Sequence, residues 1–148
     1  MKRVLLGIFI IVCAAACFAQ QDTIKVISYN IRYNNPGDGD NAWDKRKASS
    51  VVMAKVEQPD FLCVQEAYFD QLDYLNKSMP EYDYIGVGRD DGKQGGEHMA
   101  ILYRTDRYEL IDHGDFWLSE TPDVCSRGWD AACHRIVTWG YFKNRQTG

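Results

Sequence analysis

The sequence predicts an α/β domain, and three observations carry that prediction. Two short β-branched and apolar runs, Ile24-Lys25-Val26-Ile27-Ser28-Tyr29-Asn30 and Asp60-Phe61-Leu62-Cys63-Val64-Gln65-Glu66, each close on a polar side chain. A segment of helical periodicity lies between them. Strand, helix and strand in that order make the two strands parallel through a right-handed crossover. Their C-terminal ends, Asn30 and Glu66, then share one edge of the sheet. In open α/β sheets that edge is where ligands bind.

The remaining elements follow in order. Residues 1–19 stand outside the fold: Lys2 and Arg3 make a basic start, residues 4–16 are an apolar run, and Cys17-Phe18-Ala19 offers small residues for cleavage after Ala19. This is the pattern of a secretory signal peptide, and the run is short for a bilayer span. Lipoprotein processing at Cys17, after Ala14-Ala15-Ala16, is the alternative. Either way the protein is expected outside the cytoplasm, secreted or periplasmic. Losing Lys2 and Arg3 takes the net charge from −4 to −6. An acidic chain is poorly suited to hold long nucleic acid by bulk electrostatics.

Residues 34–41, Asn-Asn-Pro-Gly-Asp-Gly-Asp-Asn, read as a loop at the Asn30 edge. Asp44 is placed to cap a helix over 45–57, whose apolar face is predicted at Ala48, Val52 and Val56 with Val51 beside it. Pro59 ends it. After the strand at 61–66, Leu72, Leu75 and Met79 mark a second helix, stopped by Pro80. Strands are predicted at 82–87, 98–103, 108–118 (with a kink at Gly114) and 135–142, with loops at 88–96 and 121–132. Residues 143–148 read as a hairpin turn whose partner strand would follow, so the sequence is expected to be part of a longer domain. Cys63 sits in an apolar strand. Cys125 and Cys133, eight positions apart across a turn, are expected to pair in an oxidising compartment.

Several chemistries are excluded by pattern. No HExxH, GxSxG or Walker loop is present, and Gly86-Val87-Gly88 lacks the third glycine of a dinucleotide loop. Four residues remain as candidates. Asn30 and Glu66 set an amide oxygen beside a carboxylate, which is part of a Mg²⁺ site, or else a turn residue beside a surface acid. Glu97 precedes one strand and Arg135 starts another. The first suits metal binding or the orientation of a histidine, the second bidentate contact to a phosphate. A surface salt bridge between them, or two solvated strand ends, is the other reading.

Five short motifs occur in order: Ser28-Tyr29-Asn30-Ile31-Arg32, Val64-Gln65-Glu66, Gly96-Glu97-His98-Met99-Ala100-Ile101-Leu102-Tyr103-Arg104, Trp117-Leu118-Ser119-Glu120-Thr121-Pro122 and Arg135-Ile136-Val137-Thr138-Trp139. Together they resemble the endonuclease/exonuclease/phosphatase superfamily, which includes deoxyribonuclease-like nucleases, neutral sphingomyelinases and inositol polyphosphate phosphatases. The resemblance implies part of a four-layer α/β sandwich, with residues 22–148 as its N-terminal portion. It implies Asn30 and Glu66 at a Mg²⁺ (or Mn²⁺) site, Glu97 orienting a histidine, and Arg135 on phosphate. Trp43 and Arg46 fit the segment leading into the family's first helix. A Thr-His-x-Asp-His-like strand, an Asp-x-Asn pair and a late Asp-His would belong beyond Gly148. The implied activity is metal-dependent hydrolysis of a phosphate ester, whether small molecule, lipid head group or nucleic acid, with no stable protein partner. A catalytically inactive fragment, or one half of a split protein, is the alternative.

Overall fold

The structure is a computed structural model and describes residues 23–148. The leader, its cleavage site and Cys17 therefore lie outside the described residues. Among the described residues no helix is long and apolar enough to cross a membrane.

Strand β1 (Val26–Asn30) pairs in parallel with β2 (Phe61–Ala67), Asn30 opposite Gln65. Two antiparallel strands extend the sheet, β4 (His98–Arg104) against β2 and β3 (Tyr82–Ile85) against β4, in the order β1-β2-β4-β3. Strands β5 (Tyr108–Trp117) and β6 (Ile136–Asn144) form a separate antiparallel pair. The pairing slips between Leu110 and Asp112, not at Gly114, which instead packs against the Trp139 ring. Strand β3 stops at Ile85, short of the predicted Val87, because Gly86 turns to φ 117°, leaving extended geometry.

Helices α1 (Trp43–Glu57) and α2 (Phe69–Ser78) cover one face of the larger sheet. Leu62, Val64, Ala100 and Leu102 point toward them, in one core with Trp43, Val51, Ala54, Leu72, Leu75 and Met79. The alternate residues, Phe61, Ile101 and Tyr103, face the second sheet and meet Tyr108, Leu110 and Phe142. Period-two alternation thus sorts each strand between two cores, helices on one side and the β5–β6 pair on the other.

Helix α1 corrects two expectations. Asp44 lies inside its first turn, and Ala42 occupies the cap position without a side-chain hydrogen bond. The buried face runs through Trp43, Ser50, Val51 and Ala54, whereas Val52 and Val56 are 59% and 73% exposed. Trp43 decides the rotation. Its ring meets Tyr74 of α2 edge-on at 5.9 Å, and burying one large aromatic outweighs burying a stripe of small side chains about 100° away. The helix ends where Gln58 adopts left-handed φ 44° and Pro59 cannot continue it. The 34–41 loop also gains structure: Pro36–Asn41 form a 3-10 helix capped by Asn35.

Candidate functional site

The topology collects one set of loops at one edge. The C-terminal ends of β1, β2, β3 and β5 and the N-terminal ends of β4 and β6 all lie there. Asn30 and Glu66 are adjacent, the Asn30 Nδ2–H donating to Glu66 Oε1 at 2.9 Å. The contact depends on backbone distortion. The β2–β4 register slips between Val64 and Ala67, and Glu66 sits at φ 62°, in the left-handed region unfavourable to a non-glycine residue. A bulge of this kind re-aims one side chain. Here it turns Glu66 toward β1.

The loop after β1 is held from three sides. Arg46 donates to the carbonyls of Ile31, Arg32 and Asn41. Gln71, fully buried, accepts from the Asn34 and Tyr68 N–H groups and donates to Arg32 O at 3.0 Å. Arg32 itself is left-handed at φ 59°, forms a two-pronged pair with Asp38 at 3.0 Å, and lies 4.1 Å over the Tyr33 ring. The Arg32 contact holds the Asp38 carboxyl below its usual range. Tyr33 stacks in turn on Tyr68 at 5.3 Å. Burial pushes the Tyr68 phenol up, with the nearby Glu97 charge adding to it.

Glu97 pairs with Arg89, not with Arg135. The Arg89 Nη1–Glu97 Oε2 distance is 2.6 Å, and both side chains are largely buried at 14% and 13% exposure. Beside them the His134 Nδ1–H donates to Asp90 Oδ1 at 3.0 Å, leaving Nε2 without a partner among the described residues. Gly96, at φ 80°, permits this arrangement, because a Cβ there would strike the Asp90 carboxylate. Trp117 Nε1–H and Cys125 Sγ–H both donate to Arg89 O and fasten the loop to the second sheet. Cys125 is thus occupied as a thiol, and Cys63, Cys125 and Cys133 are all free, so the expected Cys125–Cys133 bond is not formed. Arg135 lies one residue before β6, exposed, and its guanidinium has no hydrogen-bond or ion-pair partner among the described residues.

Comparison with known proteins decides the family. No protein-family model matches the chain. A crystal structure of an endonuclease/exonuclease/phosphatase from Bacteroides vulgatus aligns over 84% of this chain and 48% of its own, at 46% identity and TM-score 0.83. A mannosyl-6-phosphatase from Bacteroides thetaiotaomicron aligns over 85% of this chain and 48% of its own, at 48% identity and TM-score 0.83. The chain belongs to the endonuclease/exonuclease/phosphatase superfamily. It spans about half the length of these relatives. A more distant superfamily relative, the Ccr4 exoribonuclease subunit of Mycosarcoma maydis, is 28% identical over 113 residues, 64% of this chain and 17% of its own.

The sequence singles out Asn30, Glu66, Glu97 and Arg135 as candidates, and at the same edge the structure adds the Arg89–Glu97 and Asp90–His134 contacts, with Tyr68 close to the Glu97 charge. Arg89 and Asp90 stand in a glycine-rich loop that also holds Asp91, Lys93 and Glu97, the one signal available. His134, the partner of Asp90, is 44 positions away from it.

His98 is adjacent to Glu97 but faces the other way, into the helix-side core, where its Nδ1 is 3.1 Å from Ala67 O. Burial holds its pKa below the ordinary 6.5. The folded protein therefore keeps His98 neutral while the unfolded chain takes up a proton as pH falls through about 6.5. Stability from this group is present above that pH and lost below it. A comparison of urea midpoints at pH 8 and pH 5 should show a larger acid loss for the wild type than for His98→Gln; equal losses would refute the assignment.

Proposed function

We propose that this chain forms the metal-and-phosphate edge of a divalent-cation-dependent phosphoesterase acting on a small phosphate ester. The observation carrying this reading is the Asn30–Glu66 pair at 2.9 Å, held by a strained bulge at the C-terminal edge of the parallel strands. The donors fit a hard cation. Glu66 Oε2 makes no hydrogen bond among the described residues, and Asn30 Oδ1 accepts only the Arg32 N–H, at 2.9 Å, leaving a lone pair. An amide oxygen and a carboxylate, with water and substrate completing the shell, suit Mg²⁺ or Mn²⁺ better than zinc.

Glu66 and Asn30 would hold the ion. When bound, it supplies positive charge to phosphoryl oxygens. The residues of the chain supply the rest. Arg135, whose guanidinium has no partner among the described residues, neutralises phosphate oxygens bidentately. Asp90 fixes the His134 tautomer, so that Nε2 is the nitrogen left to exchange a proton with the leaving oxygen. Arg89 neutralises Glu97 and so keeps a second anion from repelling the substrate.

Similarity to a mannosyl-6-phosphatase supports a sugar phosphate as substrate, and the acidic balance of the chain argues against long nucleic acid. The basic and apolar leader supports an exported location. A second reading, a chain that binds without turnover, is favoured by apolar side chains left in the open: Val26 on β1 and Trp139 and Tyr141 on β6. Hydrolysis of p-nitrophenyl phosphate and of mannose 6-phosphate with Mg²⁺, Mn²⁺ or EDTA separates the two. Turnover that EDTA stops supports the enzyme; metal binding without turnover supports the second reading.

A further inference from the structure

A pocket of about 490 Å³ opens on the helix side of the larger sheet. Its size lies within the roughly 300–1,000 Å³ of small-molecule sites. The start of α2 contributes Phe69, β3 contributes Tyr84, the 88–97 loop contributes Asp91, Lys93 and Gln94, and buried His98 forms part of the wall. None of these residues is used by the phosphate chemistry above.

The lining selects a chemical class. Phe69 and Tyr84 line the pocket with aromatic rings. Asp91 is anchored by Oδ1, which accepts the N–H groups of Lys93 at 2.7 Å and Gly95 at 2.8 Å. Its Oδ2 has no hydrogen-bond partner among the described residues and is open to accept. The Lys93 ammonium and the Gln94 amide have no hydrogen-bond partner among the described residues, so one adds donors and the other adds a donor and an acceptor. The charges of Asp91 and Lys93 cancel, so the pocket has no general preference for an anion. Aromatic side chains bordered by mixed donors and acceptors suit a neutral ring bearing several hydroxyl groups.

We infer that this pocket is a carbohydrate subsite that holds a neutral hexose ring, either the sugar carrying the phosphate or the residue next to it in a glycan. The subsite deepens the phosphoesterase reading and rests on it for the placing of the phosphate, but not for the binding of the sugar. Glu97 immediately precedes His98, and Glu66 lies three residues before Phe69. The two walls of the pocket are therefore continuous with the loops that carry the candidate metal and phosphate residues.

The test uses sugars without phosphate. Methyl α-mannopyranoside and an α-linked mannobiose are titrated against the metal-free protein by ligand-observed NMR. The expected result is saturable binding to the folded protein, weakened at least five-fold by Tyr84→Ala and by Gln94→Ala and unchanged by Glu66→Gln. Gln94 is exposed on a loop, so its variant keeps the test valid if Tyr84→Ala weakens the fold. Absence of saturable binding by either sugar overturns the inference. So does binding that both pocket variants leave intact, or that Glu66→Gln removes. Sugar binding retained in a protein that hydrolyses no phosphate ester would refute the phosphoesterase while leaving the subsite standing.

Discussion

Glu66→Gln is expected to reduce metal-dependent hydrolysis on the order of 10²- to 10³-fold, the scale of losing one preorganised electrostatic contact to developing charge. The substitution keeps size and the left-handed backbone demand but removes the anion. It also sets an amide opposite the Asn30 Nδ2–H, which now donates to Glu66 Oε1 at 2.9 Å. The variant can keep that hydrogen bond by presenting its amide oxygen, so the fold should melt close to wild type. Mn²⁺ affinity, read by electron paramagnetic resonance, should fall in parallel with activity. Asn30→Ala is expected to be milder, about ten-fold, because it removes a neutral ligand oxygen and unties Glu66 but leaves the carboxylate charge in place. Wild-type turnover and Mn²⁺ affinity in Glu66→Gln would remove Glu66 from the site altogether.

The parts of this edge legible in the sequence are those set by strand topology. Two apolar runs around a helical segment require parallel strands, and parallel strands place Asn30 beside Glu66 without any knowledge of loops. The bulge that aims Glu66 left no such mark, since φ 62° at a glutamate contradicts its local preference and is imposed by the surrounding pairing. The same limit applies to α1. Its Ala48-Val52-Val56 stripe is a real periodicity, yet the helix turns on Trp43, whose fit against Tyr74 is a tertiary fact. Glu97 was recognisable as a candidate, but its partner was not. Arg89 comes back to it through a turn governed by Gly92 and Gly96, both at positive φ. Cys125 and Cys133 show the converse, a plausible spacing overruled because Cys125 is turned toward Arg89 O.

At the opposite edge of the larger sheet, Asp60→Ala is expected to cost about 3 kcal/mol of stability. Asp60 is 1% exposed at the start of β2. Its Oδ2 accepts the Lys25 N–H at 2.7 Å, its Oδ1 pairs with Arg107 Nη1, and its backbone accepts the Arg104 N–H at 3.1 Å. One carboxylate therefore ties the entry of β1 to the turn between β4 and β5. Alanine leaves the Lys25 N–H unpaired and Arg107 without its anion, and removing one partner of a buried pair costs roughly 3–5 kcal/mol. The low end applies because Arg107, 35% exposed, can turn to water. In a domain of this size the loss corresponds to about 10–15 °C in melting temperature. The control is Asp106→Ala. Asp106 pairs with Arg104 at 2.6 Å but is 54% exposed, and exposed pairs contribute at most about 1 kcal/mol. Urea denaturation of the two variants isolates burial as the deciding variable, since both remove a carboxylate from an arginine. A gap of less than 1 kcal/mol between them would show that Asp60 does not anchor the sheet. A gap of about 2 kcal/mol or more, with Mn²⁺ binding retained in the folded fraction of Asp60→Ala, would show that the two edges divide their labour. Asp60 then fixes the strands at one end, leaving the strained Glu66 backbone at the other free to serve the site.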